Sequence, residues 1–337
     1  MSLQPVRIGL IGCGRIGRVH ALSVTAAPGA ELTTVVDAVP AAAESLGDLH
    51  GARVAATPEE VLASDDVDAV IIASPTATHV DLIDAAIDAG KPALCEKPID
   101  LDIARVEALR AKASAATTPI MLGFNRRFDP HFAALHARVA AGEIGRLEQL
   151  SIISRDPAPA PTEYLAVSGG IFRDMTIHDF DMARHFVPDV VSVFASGTAQ
   201  FSEDIAGLGD YDSVVVVLTG REGQQVTITN SRHAAYGYDQ RLEAFGSEGL
   251  LEAGNVTDTV VRRWSADAVE VREPYQNFFL ERYAAAYQRE LAAFVAAIRE
   301  DAPVPVGFHD GWAALMLADA AARSAAEGRV VEVDLDA

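Results

Sequence analysis

Three groups of residues have types and spacings that suit chemistry on a small bound molecule. Lys97 stands in the tripeptide Glu96-Lys97-Pro98, and His178 follows Asp174 by four residues. A lysine ammonium can stabilise an oxygen on which negative charge develops, and an imidazole accepts a proton near neutral pH. The third group is a glycine turn, Gly12-Cys13-Gly14-Arg15-Ile16-Gly17. Together the three groups predict acid–base chemistry beside a nucleotide cofactor.

The glycine turn lies between a predicted strand, Val6–Ile11, and a predicted helix, Ile16–Ala27. In such a turn the first glycine permits the tight bend, the second lets backbone N–H groups approach a pyrophosphate, and the third lets the helix pack on the strand. The N-terminus of the helix adds partial positive charge for the phosphates. We therefore predict a dinucleotide site at five residues of the turn: Gly12, Gly14, Arg15, Ile16 and Gly17.

An acidic residue stands where such a site binds the ribose. Asp37 ends the second predicted strand, 20 residues after Gly17. A carboxylate there accepts hydrogen bonds from the ribose hydroxyls and repels a 2′-phosphate. Ala38 follows, so no adjacent arginine offsets that repulsion. The sequence thus predicts NAD rather than NADP, and the alternative is a solvated loop aspartate.

Further polar residues follow the ends of other predicted strands. Because the carboxyl ends of parallel strands line the ligand crevice, we expect them to face the cofactor. The alternatives are helix capping by Thr76 or Thr78 and a surface position for the lysine. The predicted cofactor contacts at these strand ends are Ser74, Thr76, His79, Glu96 and Lys97.

Asp174 and His178 are predicted to share one face of a helix over Arg173–Phe186, because they are four residues apart. The aspartate can orient the imidazole and stabilise its protonated form. One alternative is a simple helix ion pair. Another is a metal site made of His178, Asp181 and His185.

Composition limits the class of protein. The chain has 337 residues, 27 Lys+Arg and 48 Asp+Glu, which give a net charge of −21. That charge argues against nucleic acid or an anionic membrane as main partner. Two cysteines make no disulfide framework. We expect no signal peptide, since the first five residues lack a basic end followed by an apolar core, and the expected location is the cytoplasm.

Strands and helices alternate over the first part of the chain. The predicted strands are Val6–Ile11, Leu32–Val36, Ala69–Ala73, Ala93–Cys95 and Ile120–Phe124. The predicted helices are Ile16–Ala27, Ala41–Leu49, a capped helix from Pro58, His79–Ala89 and Ile103–Ala113. This alternation predicts an α/β fold with a Rossmann-type, doubly wound parallel sheet.

The pattern changes after about residue 125. Helices are predicted over Asp129–Ala141, Arg173–Phe186, Phe279–Arg299 and Trp312–Glu327. Strands are predicted over Leu147–Ser154, Val190–Phe201, Asp212–Leu218, Gln225–Arg232, Arg241–Phe245, Thr259–Trp264 and Val330–Val333. Successive strands without intervening helices predict an α+β domain with an open, mainly antiparallel sheet. We predict a nucleotide domain at 1–123, with about residues 300–337 packing back on it, and a substrate domain at 124–299.

The glycine turn, Glu96-Lys97-Pro98 and the Asp174/His178 pair together resemble the glucose–fructose oxidoreductase/inositol dehydrogenase/MocA (Gfo/Idh/MocA) family. The resemblance covers nearly the whole chain. Several segments look like the inositol 2-dehydrogenase branch of that family: Gly123–Pro130, Ser154–Pro157, Tyr236–Arg241 and Ala320–Val331.

The resemblance implies Lys97, Asp174 and His178 as the catalytic set. His178 would take the proton from a ring hydroxyl, Lys97 would bind the same oxygen, and Asp174 would position substrate and His178. The base could also be Lys97, with the roles exchanged. The implied contacts to a cyclic polyol are Lys97, Asn125, Arg127, Asp156, Asp174, His178 and Tyr238. No metal is expected, and the family's sheets commonly associate into dimers or tetramers.

The favoured function is oxidation of a polyol hydroxyl to a ketone by hydride transfer to NAD, with myo-inositol as first candidate substrate. One alternative is a dehydrogenase for a pyranose, an anhydrosugar or another inositol isomer. Others are a lyase or glycosidase with retained NAD, a non-catalytic NAD-binding regulator, and a metal-dependent hydrolase. Net reduction of the cofactor distinguishes the first two from the rest.

Overall fold

The computed structural model describes residues 4–336 and divides them into two compact units. Unit 1 comprises residues 4–128 and Ala285–Ala313, and unit 2 comprises Asp129–Ala284 and residues 314–336. Compactness does not test whether either unit folds by itself. The domain limits at residue 123 and about residue 300 therefore stay a prediction.

Residues 4–128 alternate between strands and helices, as predicted. The strands are β1 (Val6–Ile11), β2 (Ala30–Val36), β3 (Arg53–Val54), β4 (Ala69–Ile72), β5 (Ala93–Glu96) and β6 (Ile120–Gly123). The helices are α1 (Arg15–Ala26), α2 (Pro40–His50), α3 (Pro58–Leu62), α4 (His79–Asp88) and α5 (Ile103–Ala115).

The six strands form one parallel sheet in the order β3-β2-β1-β4-β5-β6. All residues of β4 are buried, as expected for a strand covered on both faces. The strand order reverses between β1 and β4, so the carboxyl ends of these strands flank the crevice where doubly wound sheets bind ligands. The predicted Rossmann-type sheet is confirmed, and it brings the turns after β1, β4 and β5 to one edge.

The remaining elements continue in chain order. The helices are α6 (Pro130–Ala140), α7 (Thr162–Leu165), α8 (Ile171–Asp174), α9 (Ile177–Phe186), α10 (Glu203–Gly207), α11 (Phe279–Arg282), α12 (Ala284–Glu300) and α13 (Phe308–Glu327). The strands are β7 (Leu147–Arg155), β8 (Val190–Thr198), β9 (Ser213–Gly220), β10 (Gln225–Ser231), β11 (Asp239–Gly246), β12 (Gly249–Ala253), β13 (Arg262–Arg263), β14 (Val271–Arg272) and β15 (Val331–Glu332).

Seven of these strands form the sheet of unit 2, in the order β12-β11-β7-β10-β9-β8-β15. Only β7 and β10 pair in parallel, and every other neighbouring pair is antiparallel. Burial alternates along β9 and β10, so one face packs on a core and the other does not. Helix α9 packs against β7. The predicted open, mainly antiparallel sheet is confirmed.

Two predicted helices are in fact interrupted. The helix predicted over Arg173–Phe186 divides into α8 and α9, because the N–H of Thr176 bonds to the carbonyl of Ile171, five residues back. A bond of that span widens the turn and ends the regular helix. The helix predicted over Phe279–Arg299 is broken at Tyr283, which has non-helical dihedral angles.

The predicted strands of the second half also need correction. The strand expected over Val190–Phe201 ends at Thr198, because Ser202 accepts a hydrogen bond from Ile205 N–H and caps α10. The strand expected over Thr259–Trp264 is reduced to the two residues of β13. Strand β12 was not predicted. Within residues 4–336, no helix has the length and apolarity needed to cross a membrane.

Candidate functional site

The glycine turn after β1 has the geometry that its sequence predicts. Gly12 has φ +101, and a Cβ there would lie 2.5 Å from the backbone of Ala73. A Cβ on Gly17 would lie 2.0 Å from the carbonyl oxygen of Gly12. A Cβ on Gly14, in contrast, would meet no chain atom within 4 Å. No side chain caps the N-terminus of α1 at Gly14, so the first N–H groups of the helix stay available at the open side of the turn. This arrangement fits a pyrophosphate.

Asp37 braces this turn from the end of β2. Its Oδ2 accepts a hydrogen bond from the N–H of Cys13 at 2.6 Å, and its Oδ1 accepts one from Val39 N–H at 2.7 Å. The carboxylate is only partly buried. The sequence predicted a contact to ribose but not this bond across the turn. Two backbone donors thus fix the position of the carboxylate. Its contact to a cofactor ribose stays a prediction.

Removing the charge of Asp37 is expected to weaken the preference for NAD. A 2′-phosphate about 4 Å from a carboxylate costs roughly 1 to 4 kcal/mol, or tenfold to a thousandfold in affinity. The Asp37→Asn variant keeps an acceptor for Cys13 N–H, so its kcat/KM ratio for NADP over NAD should rise at least tenfold. Steady-state rates with both cofactors measure this, with Asp48→Asn on α2 as the matched exposed control. Equal efficiency of the unaltered protein with both cofactors would contradict the assignment.

His79 joins two turns at the carboxyl edge of the sheet. It is 1% exposed, its Nδ1 lies 2.8 Å from the carbonyl oxygen of Pro98, and its Nε2 lies 2.8 Å from that of Ser74. Ser74 and Thr78 hydroxyls are 2.6 Å apart, and Thr76 begins a 3₁₀ turn. The ring thus braces the turn after β4 against the residue after Lys97. A direct cofactor contact by Ser74, Thr76 or His79 stays a prediction.

Lys97 follows β5 and is half-buried. The side chain of Glu96 points back into unit 1, where Oε1 lies 2.8 Å from Nε2 of His20. Its Oε2 accepts a hydrogen bond of 3.3 Å from the N–H of Lys97. Glu96 therefore fixes the backbone at the predicted catalytic lysine, and its contact to a cofactor stays a prediction.

A second buried carboxyl lies near Glu96. Glu290 on α12 is fully buried, and neither of its oxygens has a hydrogen-bond partner among the described residues. Burial raises the pKa of Glu290, and the Glu96 carboxylate adds to the rise. His20, which is 1% exposed, meets the edge of the Tyr287 ring. The sequence carried one signal for Glu290, a charged residue at helical spacing among Tyr287, Leu291 and Phe294, which are all buried.

Replacing Glu290 by glutamine is expected to change how stability depends on pH. Because the pKa is raised in the folded chain, that chain binds more protons than the unfolded one above pH 4.5, the ordinary value. The free energy of unfolding then falls as pH rises, by up to about 1.4 kcal/mol per pH unit. Glu290→Gln removes this loss, so its melting temperature should gain on that of the unaltered protein as the pH rises above about 5. Parallel curves would contradict the assignment, and Glu300→Gln at the exposed end of α12 is the control.

The turn after β6 holds two predicted substrate contacts. Asn125 is 3% exposed, and its Oδ1 has no hydrogen-bond partner among the described residues. Arg127 donates to Asp310 at 2.9 Å and to the carbonyl oxygen of Pro305 at 3.3 Å. These bonds tie the turn to the C-terminal part of unit 1. A substrate contact for either side chain stays a prediction.

Asp174 is the last residue of α8, and His178 lies in the first turn of α9. The prediction that one continuous helix sets their spacing is therefore wrong. Instead, Asp174 Oδ1 accepts a hydrogen bond of 2.8 Å from the Tyr164 hydroxyl, and Oδ2 accepts one of 3.1 Å from Arg232. Sequence reasoning identified neither donor, because Tyr164 lies on a separate helix ten residues earlier and Arg232 lies 58 residues later in the chain.

Two other predicted substrate contacts also lie in unit 2. Asp156 follows β7, and its N–H bonds to the carbonyl oxygen of Ser231 at 2.9 Å. Tyr238 is 5% exposed and meets the Tyr283 ring edge-on, with centroids 6.0 Å apart. Among residues 4–336, no cluster of three or more His, Cys, Asp or Glu side chains could hold a metal.

Both cysteines are buried thiols at strand ends. Burial, together with Asp37, raises the pKa of Cys13 to about 11. Burial also raises the pKa of Cys95. A thiol that keeps its proton at neutral pH is a poor nucleophile, so neither cysteine is suited to covalent catalysis.

Comparison with known proteins tests the family assignment. Residues 6–124 match a model described as an oxidoreductase family with an NAD-binding Rossmann fold, and residues 132–252 match the GFO/IDH/MocA C-terminal domain. A relative named inositol 2-dehydrogenase, from Rhizobium meliloti (strain 1021), is 47% identical over 97% of this chain and 99% of its own length.

Solved structures give the same result. A myo-inositol dehydrogenase from Corynebacterium glutamicum ATCC 13032 is 55% identical, with a TM-score of 0.95 over 98% of this chain and 99% of that one. A scyllo-inositol dehydrogenase from Lactobacillus casei, with bound NAD(H) and scyllo-inositol, is 29% identical, with a TM-score of 0.90 over 98% of this chain and 99% of that one. The predicted oxidoreductase class and NAD cofactor are confirmed. The chain belongs to the Gfo/Idh/MocA family of NAD-binding oxidoreductases.

Proposed function

We propose that this protein oxidises the C2 hydroxyl of myo-inositol to the ketone scyllo-inosose, with NAD as hydride acceptor. The observation that carries the proposal is the near full-length similarity to proteins named inositol 2-dehydrogenase, at 47% and 42% identity. The glycine turn with its open side at Gly14 supports cofactor binding. A relative with bound scyllo-inositol supports a cyclic polyol as substrate class.

Lys97, Asp174 and His178 carry the acid–base chemistry in this proposal. His178 takes the hydroxyl proton, since an imidazole accepts protons near neutral pH. Lys97 donates a hydrogen bond to the same oxygen and stabilises the negative charge that develops there. Asp174, which accepts hydrogen bonds from Tyr164 and Arg232, orients substrate and imidazole. NAD, when bound, supplies the hydride-accepting ring.

Four further side chains are proposed to bind the remaining hydroxyls: Asn125, Arg127, Asp156 and Tyr238. Asn125 has the most direct support, because its buried Oδ1 needs a donor and a polyol hydroxyl can supply one. Arg127 donates a hydrogen bond to Asp310, so its contact to substrate uses other N–H donors of the guanidinium.

The proposal also covers the oligomeric state of the protein and its location in the cell. We expect a homotetramer or homodimer, because the uncovered face of the unit 2 sheet carries partly exposed apolar side chains at Phe194, Val215 and Phe245. Sedimentation velocity measures the state directly. A cytoplasmic role in inositol catabolism accords with a small polyol partner, NAD and two thiols that form no disulfide.

The function is tested by mixing the purified protein with NAD and a panel of inositol isomers and monosaccharides. The near-ultraviolet absorbance of reduced nicotinamide reports turnover. A strong rise with myo-inositol, a weak one with glucose and no effect of a chelator are expected. A rise only with a sugar or another isomer would assign a different dehydrogenase. NAD binding without any rise would favour the regulator or the enzyme with retained cofactor.

A further inference from the structure

We propose that Arg232 is a positioning residue for the reaction, because its guanidinium binds the Asp174 carboxylate at the end of helix α8 and also binds Asp210, which holds the start of that helix. The inference rests on the proposed catalytic role of Asp174. Helix α8 has four residues, Ile171–Asp174, and a helix of one turn is not stable without contacts from outside. Something other than helix register must therefore fix Asp174.

Arg232 directly follows β10, and its N–H bonds to the carbonyl oxygen of Asp212 at 2.8 Å. The residue is 1% exposed. Its Nη1 lies 3.1 Å from Asp174 Oδ2, and its Nη2 lies 3.3 Å from Asp210 Oδ2. One buried cation thus bridges two carboxylates, and the planar guanidinium fixes the angle between them.

Asp210 extends the contact to the other end of the helix. Its Oδ1 accepts a hydrogen bond of 2.9 Å from the N–H of Ile171, the first residue of α8. Gly170, just before it, has φ +82, and a Cβ there would lie 3.1 Å from the same oxygen. Asp210 therefore anchors the start of α8, while Arg232 binds Asp210 and the side chain at the end of the helix.

The charges in this cluster explain why one arginine matters. Two carboxylates share the guanidinium, so removing it would leave two nearby negative charges without their cation. Tyr164 holds the second oxygen of Asp174 through a hydroxyl that donates at 2.8 Å. The carboxylate is thus bound at both oxygens, and the guanidinium fork places one nitrogen on Asp174 and the other on Asp210. An Arg232→Lys change keeps the charge but loses the fork.

A cycle of Arg232→Lys and Asp174→Asn variants tests the proposal. Arg232→Lys should lower kcat by about 10- to 100-fold, since small misplacements of a reacting group cost that much, while NAD affinity stays unchanged. If Arg232 acts through Asp174, the double variant should be no slower than Asp174→Asn alone. Arg173→Lys is the control, because Arg173 lies on the same helix and pairs with Asp319 instead.

Other outcomes overturn the proposal. If the kcat losses of the two single variants multiply in the double variant, Arg232 acts independently of Asp174 and its ion pairs are only structural. An Asp174→Asn variant with unaltered kcat would overturn the role of Asp174 and the positioning role with it. Circular dichroism tests whether Arg232→Lys folds. If it does not, Asp210→Asn takes its place in the same cycle, because this change loosens the start of α8 and leaves the arginine in place. Multiplying losses there would again overturn the proposal.

Discussion

The Lys97→Ala variant is expected to lose turnover by about 100- to 1,000-fold while it still binds NAD. This loss in kcat is the usual effect of removing one hydrogen-bond donor that stabilises a developing oxyanion. Lys97 is half-buried at the end of β5, and Glu96 holds its backbone N–H. The cofactor contacts proposed at Gly14 and Asp37 do not involve its side chain. Initial rates at saturating substrate give kcat, and titration calorimetry gives the affinity for NAD.

Lys112→Ala is the matched control for that variant. Lys112 lies on α5 and pairs with Asp84 and Asp88 at the surface of unit 1. Its replacement removes the same atoms and charge from a surface ion pair, so the rate should stay within about twofold of the unaltered protein. A Lys97→Ala variant that turns over as fast as this control would show that the ammonium group takes no part in the reaction.

The His178→Ala variant is expected to lose about 100- to 10,000-fold in kcat near neutral pH, the usual contribution of a general base. The loss should shrink as pH rises, because hydroxide can then remove the proton instead. The measurement is kcat as a function of pH for both proteins. The change of this loss with pH distinguishes His178 from Lys97 as the proton acceptor. If Lys97 were the base, the loss in kcat of His178→Ala would not decrease at high pH.

His131→Ala serves as control for this variant, because His131 is exposed on α6 in the same unit. A pH profile for it that matches the unaltered protein separates the loss of a base from the loss of any imidazole. A constant ratio between His178→Ala and the unaltered protein across the pH range would contradict the assignment of His178 as proton acceptor.

The cofactor end of the protein could be predicted well from sequence because it depends on local patterns. The steric reason for Gly17 acts within a few residues, since a Cβ there would meet the carbonyl oxygen of Gly12, and buried strands such as β4 show as apolar runs. Asp37 could be found by its distance from Gly17 alone. The bond from Cys13 N–H to Asp37 could not, since it depends on how two strand ends meet.

The substrate end was harder to predict because distant segments determine it. The spacing of Asp174 and His178 suggested one helix, yet α8 and α9 are separate. Arg232, which binds Asp174, and Asp210, which binds Arg232, lie dozens of residues farther along the chain. Glu290 and His20 likewise reach Glu96 from opposite ends of the sequence, so no local pattern links them. Tertiary contacts of this kind override periodicity.

In the proposed reaction, the hydrogen on C2 of myo-inositol moves to NAD as a hydride. The most direct test uses myo-inositol with deuterium at that carbon, and follows both products by nuclear magnetic resonance. We expect one deuterium on the nicotinamide ring for each scyllo-inosose formed, and none left in the ketone. Deuterium that stays in the polyol product, or a ketone at another carbon, would contradict the claim.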